Sequence, residues 1–263
     1  MLDSFTITII FIIACTVIGA FVKGRARDRC LIDFSGYPAV LEKNDGKVIW
    51  GELAVEHSGL ELIYKTPHLD EKEDHLESSY ILYKSEYDQL KTLVRYIDEL
   101  DSSLAKKREK VLKRTCHPSW GVRFARKTRN FFGTVRDSLL EMVNLFMGRM
   151  KAMTPAGKLL KGQDKYMSQL QNQAVTGLCS AYEPILERYI GKKCVLAFIF
   201  EGEKTEYAGI LKDYTTEFVS MMDVEYADKQ SQGSKDKKSL RKADLVIPRR
   251  LGTVRHASLR DMK

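Results

Sequence analysis

The sequence lacks the short motifs that mark most enzymes. None of its 263 residues belongs to an HExxH, Walker A, GxSxG or GxGxxG pattern. These patterns are typical of metalloproteases, nucleotide phosphate binding, acyl transfer and dinucleotide binding. His57, His117 and His256 each stand without a nucleophile or an orienting partner at catalytic spacing. These absences predict that the chain is not an enzyme and needs no cofactor.

Cysteine is scarce and follows no pairing pattern. The five cysteines are odd in number and contain no CxxC pair: Cys15, Cys30, Cys116, Cys179 and Cys194. A disulfide framework or a zinc site is therefore not expected. Metal-ligand side chains do cluster between His68 and His75. That stretch lacks the rigid elements that hold a metal ion, so it predicts a solvated loop and no metal site.

Charge is absent from the run Phe5 to Val22. As a helix its 18 residues would span about 27 Å, close to the hydrocarbon thickness of a bilayer. The basic residues Lys23, Arg25, Arg27 and Arg29 follow it directly. This pattern predicts an N-terminal transmembrane helix in the plasma (inner) membrane, with the N-terminus outside and the bulk of the chain cytoplasmic. A cleavable signal peptide and a buried core helix are the alternatives, and the acidic start and long apolar run favour an uncleaved anchor in the lipid bilayer.

The positive charge is concentrated in the middle of the chain. The formal net charge is +8, yet residues 105–165 alone contain sixteen lysines and arginines against four acidic residues. Within this region we predict a helix over residues 119–150, because apolar residues recur at helical spacing. The stripe consists of Phe124, Phe131, Val135, Leu139, Met142, Phe146 and Met150.

The other faces of this predicted helix are basic in their N-terminal half. They carry Arg123, Arg126, Lys127, Arg129 and Arg136. We expect the helix to lie on anionic lipid headgroups, with Phe131 and Phe132 buried at the interface. Two alternatives stay open: the stripe packs against the rest of the protein, or the arginines bind the phosphates of RNA.

Strand patterns precede and follow the helical middle. Asp45-Gly46 predicts a hairpin turn in the first strand region. The spacing of Leu90, Leu93, Val94 and Ile97 predicts a long helix that begins near Ser85, continues through a solvated basic tail to Arg114 and is broken at His117-Pro118. The sequence thus predicts an α+β fold in which two small β-rich modules flank a basic helical region. The predicted segments are a signal anchor with its basic flank (1–29), a β-module (30–84), the helical region (85–187) and a second β-module (188–263) with a flexible loop at 228–242.

The two strand regions repeat one order of elements. Each reads strand, turn, strand with an internal Gly-x-Leu, turn and apolar strand, and the glycines are Gly51 and Gly209. A glycine inside a strand permits the sharp bend that small barrels need. Residues 188–258 resemble the Sm-like (LSm) barrel family. The resemblance rests on Gly191-Lys192-Lys193, on Gly209-Ile210-Leu211 and on the apolar strand that follows.

The resemblance implies a small β-barrel and, for the RNA-binding members, contact with RNA. RNA-binding members have Asp and Asn where this chain has Thr215 and Val219, and Leu251 interrupts the expected Arg-Gly step. The resemblance therefore implies the fold more than it implies RNA binding.

The sequence as a whole predicts a non-catalytic scaffold or assembly protein at the inner face of the membrane. Self-association into a homo-oligomer through the β-modules is part of this expectation. The alternatives are a membrane-tethered RNA-binding protein and a channel or transporter subunit with a ring of Sm-like domains.

Overall fold

Strands make up most of the structure, a computed structural model that describes residues 27–70, 75–118, 183–227 and 240–257 with isolated positions from 120 to 128. The helices of this part are α1 (Arg29–Ile32), a 3₁₀ helix (Lys84–Gln89), α2 (Ser102–Cys116) and α3 (Pro184–Tyr189). The strands are β1 (Pro38–Lys43), β2 (Val48–Val55), β3 (Gly59–Asp70), β4 (His75–Tyr83), β5 (Leu90–Tyr96), β6 (Lys193–Phe200), β7 (Glu203–Tyr214), β8 (Phe218–Ala227), β9 (Leu240–Pro248) and β10 (Gly252–Ala257).

The chain divides into two compact units. Unit 1 comprises Met1–Leu104 and Tyr226–Ile247, and unit 2 comprises Ala105–Glu225 and Pro248–Lys263. In unit 1 the strand order is β9-β5-β1-β2-β3-β4, and in unit 2 it is β10-β6-β7-β8. The pairing is antiparallel throughout both orders as far as the register is described. Unit 1 therefore contains a strand, β9, that follows β6, β7 and β8 of unit 2 in sequence.

A tight hairpin starts the sheet of unit 1. Asp45 and Gly46 form the turn between β1 and β2, where Gly46 has φ +86° and the Asp45 carboxylate accepts a hydrogen bond of 2.9 Å from the Lys47 amide. This is the turn that the sequence predicts. The core of the unit is apolar and its largest buried side chains include Phe34, Leu41, Leu53, Leu62 and Leu82.

Unit 2 repeats these features with other residues. Glu201 and Gly202 turn β6 into β7 with φ values of +50° and +83°. Gly209 lies so close to β8 that an added Cβ would stand 2.7 Å from the Met222 carbonyl oxygen. Its buried core includes Leu196, Leu211, Phe218 and Met221.

The backbone hydrogen bonds show that the two units repeat at atomic level. The Gly36 amide donates to Leu53 O and the Gly191 amide to Leu211 O, both at 2.7 Å. Three further bonds of unit 1 each have a counterpart in unit 2. The bond from Leu53 N to Tyr37 O matches that from Leu211 N to Lys192 O, and the bond from Glu56 N to Gly59 O matches that from Thr215 N to Phe218 O. The bond from Lys84 N to Ser58 O matches that from Arg249 N to Glu217 O. These pairs define equivalent positions in the two units, such as Gly51 and Gly209.

The predicted long helix from Ser85 is wrong in its first part, whereas its basic tail lies in helix α2 (Ser102–Cys116). The structure has a 3₁₀ helix at Lys84–Gln89 and strand β5 at Leu90–Tyr96. Both faces of β5 are buried, from Thr92 through Tyr96. A strand that is buried on both faces loses its alternation of apolar and polar residues, and its apolar residues then fall by chance at helical spacing.

The predicted α+β class with an N-terminal transmembrane helix is also wrong. The α-helices of the described part have only 4, 15 and 6 residues beside ten strands. None of the helices in that part is both long and apolar enough to cross a membrane. This finding contradicts the predicted single-pass localisation, whose segment Phe5 to Val22 itself lies outside the described residues.

Candidate functional site

Most residues predicted to bind a membrane or an anion fall outside the described part of the chain. These are Lys23, Arg25, Arg123, Lys127, Arg129, Phe131, Phe132 and Arg136. Arg27 is described, and its guanidinium donates a hydrogen bond of 2.9 Å to the Val55 carbonyl. Arg29 belongs to the short helix α1, and Arg126 is half-buried. The grouping of the predicted residues into one membrane- or anion-binding site therefore stays a prediction.

The most specific polar contact in unit 1 joins β5 to β9. These strands pair with Leu93 opposite Val246 and Arg95 opposite Asp244. The Arg95 guanidinium donates to one Asp244 oxygen at 3.1 Å from Nε and at 2.5 Å from Nη2. Both side chains are buried, with 2% and 0% of their surface exposed. A buried ion pair tolerates no shift of register, because a shift would leave both charges unpaired in the core.

Aromatic rings enclose the Arg95 guanidinium. Its central carbon lies 4.4 Å from the ring centre of Phe34 and 4.3 Å from that of Tyr37, and a third nitrogen donates to Asp33 O at 3.0 Å. The sequence patterns did not single out Arg95 and Asp244. Each stands in an apolar run, beside Leu93-Val94 and Leu245-Val246, and a charge in such a run is the signal that could have identified a buried pair.

Further hydrogen bonds hold β9 and the end of β8 in unit 1. The Tyr226 hydroxyl donates to Glu42 at 2.9 Å, and the Tyr96 hydroxyl to Ala227 O at 2.9 Å. The Arg241 guanidinium lies 4.1 Å from the Tyr96 ring centre and binds the carboxylates of Asp98 and Glu99, which raise the pKa of Arg241 above its usual value. The junction between β5 and β9 is therefore fixed by several side chains.

Strand β4 of unit 1 and strand β10 of unit 2 each have only one neighbouring strand in the described sheet. Large apolar side chains are exposed on β4: Leu76, Ile81 and Tyr83 expose 70%, 51% and 56% of their surface. Lys84 and Arg249 are equivalent, because their amides donate the matching hydrogen bonds described above. Ile81 lies three residues before Lys84 and Val246 three residues before Arg249, so Ile81 and Val246 are equivalent. Val246 is completely buried against β5. The open side of β4 thus has the apolar chemistry of a strand that pairs.

The strand β10 is equivalent to β5. Leu93 of β5 pairs with Leu41, and Val254 of β10 pairs with Leu196. Leu41 pairs with Ile49, two residues before Gly51, and Leu196 pairs with Tyr207, two residues before Gly209. Leu41 and Leu196 are therefore equivalent, because the two glycines are equivalent. Val254 therefore corresponds to Leu93, the residue opposite Val246 in unit 1. We call the exposed sides of β4 and β10 the outer edges.

Unit 1 contains a groove of about 510 Å³. It opens where the pairing of β2 with β3 ends, at Glu52 opposite Ile63. Its apolar lining includes Pro38, Ala39, Ile49 and Trp50, and its polar lining includes Lys47, Tyr64, Lys65, Glu77 and Glu99.

Helix α2 packs on unit 2 at two points. Arg108 is buried and makes a short ion pair with Asp223, a residue of β8 that has φ +56°. The backbone of Thr115 lies so close to Gly191 that a side chain there would collide with the Thr115 carbonyl oxygen. Burial, followed by the charge of Asp223, raises the pKa of the neighbouring Cys116 thiol, which is therefore protonated at neutral pH.

The positions that carry the Sm-like resemblance have structural partners in unit 2. The Thr215 hydroxyl accepts hydrogen bonds from the amides of Glu217 and Phe218, and Val219 is buried. Arg249 pairs with Glu183 and donates to Thr215 O at 3.3 Å. These contacts fix a turn and the start of α3, and RNA binding at these positions stays a prediction.

The described residues contain no cluster of three or more metal-ligating side chains. Among them Cys30 and Cys194 are buried free thiols, and burial raises the pKa of Cys194. Of the acidic stretch between His68 and His75, residues 71–74 lie outside the described part.

No protein-family model, no curated protein and no solved structure matches this chain significantly. The resemblance to the Sm-like family therefore stays a prediction, and the function has to be argued from the geometry.

Proposed function

We propose that this chain is a non-catalytic assembly protein whose copies join head to tail through their outer edges. The observation that carries the proposal is the junction of β5 and β9 in unit 1. By the repeat, β4 is equivalent to β9 and β10 is equivalent to β5. The chain therefore carries, on its outer edges, a second version of a strand pair that it already forms internally.

The equivalence gives the register of the contact between copies. Ile81 of one copy lies opposite Val254 of the next, as Val246 lies opposite Leu93 in unit 1. Pairing covers the exposed Ile81 and Tyr83, and it satisfies the backbone groups that an edge strand leaves open. Because β4 and β10 are different surfaces, the contact is heterologous, and repeated contacts produce rings or open chains.

Charge substitutions at the two predicted partners test this contact. Ile81→Glu and Val254→Lys each place a charge opposite an apolar residue, so each variant alone should lose assembly. Mixing the two variants should restore assembly, because the introduced carboxylate and ammonium then face each other at one contact and the native residues face each other at the next. Sedimentation velocity on the full chain measures the mass in each case.

A matched control distinguishes an effect of the outer edge from an effect of charging any exposed isoleucine. Ile199 on β6 is also 51% exposed, but β6 lies between β10 and β7. Ile199→Lys should therefore leave the mass unchanged. A wild-type chain that stays monomeric at all concentrations would refute the proposal, and loss of assembly in Ile81→Glu without any effect of Val254→Lys would show β4 pairing with itself.

A further inference from the structure

The groove of unit 1 occupies the position at which unit 2 receives a helix. The pairing of β7 with β8 reaches Ile210 opposite Met222, and the equivalent pair in unit 1 is Glu52 opposite Ile63. The next residues, Asp223 and Tyr64, are therefore equivalent. Asp223 holds Arg108 of α2, whereas Tyr64 lines the groove.

The second contact point of α2 agrees with this equivalence. Gly191 lies against the backbone of Thr115, whereas no described atom lies within 4 Å of a Cβ built on its equivalent, Gly36. Pro38 and Ala39, which follow Gly36 closely in sequence, line the groove. Of the two points that α2 covers in unit 2, the equivalent of Gly191 is therefore open in the described part of unit 1, and the equivalent of Asp223 borders the groove.

The groove also contains an aromatic side chain that is fixed in place and can pack against a helix. Trp50 is half-buried, and its ring stacks on Tyr96 with ring centres 6.0 Å apart and an angle of 13° between the planes. A tryptophan whose ring is fixed before binding loses little side-chain entropy, and such residues dominate binding energies at protein interfaces.

We propose that the groove of unit 1 binds an amphipathic helix of a partner protein, seated as α2 is seated on unit 2. The unit 1 equivalent of Asp223 is the uncharged Tyr64, so the partner helix carries an apolar side chain where α2 carries Arg108. The rest of its contact face is the apolar stripe of α2, in which Leu104, Val111 and Leu112 are half-buried. The groove shares Glu77 of β4 with an outer edge but is not lined by Ile81 or Val254, and the proposal does not depend on the assembly proposed above.

Peptides derived from α2 test the site with the full chain. The probe is a peptide of residues 102–118 with Arg108→Leu, and the control is the same peptide with Val111→Pro added. The chain contains two tryptophans, so Trp120→Phe leaves Trp50 as the only reporter; the peptide itself has none. The probe should bind saturably and shift the Trp50 emission to shorter wavelength. The proline control should bind on the order of 100-fold more weakly, because proline disrupts a helix interior.

A substitution in the groove tests the orientation of the helix. Tyr64→Asp recreates the acidic residue that Arg108 meets in unit 2. The peptide that keeps Arg108 should then bind about tenfold more tightly than the Arg108→Leu peptide, which reverses the preference of the unsubstituted groove. Three results would overturn the proposal: no saturable change of Trp50 emission, equal binding of the proline control, or no change of preference in Tyr64→Asp. Circular dichroism of each variant checks that the chain remains folded.

Discussion

Units 1 and 2 share their backbone hydrogen bonds but complete their sheets differently. In unit 1 the fifth strand, β5, is covered by β9, while the groove beside Tyr64 stays open in the described part. In unit 2 the equivalent of β5 is β10, which ends the strand order, while α2 sits at the position equivalent to the groove. The same backbone arrangement thus has two surfaces on which another element can pack: the edge of the strand β5 or β10, and the surface around Tyr64 or Asp223. In unit 1 the strand edge is covered, and in unit 2 the second surface is covered by a helix.

The largest expected effect comes from breaking the buried pair of unit 1. Arg95→Ala or Asp244→Ala leaves one charge unpaired in the core, so the free energy of unfolding should fall by about 3–5 kcal/mol. Chemical denaturation followed by circular dichroism measures the loss. The control is Lys204→Ala in unit 2, which removes the exposed ion pair of Lys204 with Glu206 at 2.7 Å. That variant should be indistinguishable from wild type, and an equal loss in both would contradict the special role of the buried pair.

The next effect compares two equivalent glycines. Gly36 and Gly191 have φ values of +73° and +78°, so alanine at either position is strained by about 1–2 kcal/mol. Only Gly191→Ala also collides with the Thr115 carbonyl of α2. Gly191→Ala should therefore destabilise the protein more than Gly36→Ala and should speed hydrogen exchange in α2. Equal losses of stability, with α2 still protected, would show that α2 does not depend on this contact.

The smallest expected effect is a loss of stability at alkaline pH that comes from Tyr214. Burial raises the pKa of Tyr214 to about 12, and its hydroxyl is hydrogen-bonded to Glu183. Because the folded pKa lies above the usual value of about 10, the contribution of Tyr214 to stability is complete below pH 10 and is lost as the pH rises through 12. The equivalent residue in unit 1 is Val55, which does not titrate.

Tyr214→Phe tests this dependence. Denaturation of the variant and of the wild type should be compared at several pH values from 8 to 12. The wild type should lose more stability than the variant above pH 10, since only the wild type has to keep this buried phenol protonated. Parallel pH profiles would exclude Tyr214 as the source.

Part of the fold could be predicted because it depends on neighbouring residues. The turn at Asp45-Gly46 follows from the backbone freedom of Gly46, and the close approach of the neighbouring strand at Gly51 and Gly209 follows from the absence of a side chain. Strand β5 could not be predicted in the same way, because burial on both faces removes the alternation on which strand prediction depends.

The sites were less predictable than the strands. Arg95 and Asp244 are 149 positions apart, and nothing local in the sequence says that two charges so distant will meet. The groove beside Trp50 depends on where β3 leaves β2, which a single sequence does not specify. The charged residues that the sequence did single out lie largely outside the described part of the chain.

The pairing of β5 with β9 also sets the order of events while the chain is made. Arg95 meets its partner only after 149 further positions have been added, which at 5–20 residues per second takes roughly 7–30 s on the ribosome. During that time β5 presents an open strand edge and an unpaired arginine to the cell. Unit 1 is thus begun first but can be completed only after β9 has been synthesised, and its open strand edge is exposed to aggregation in this interval.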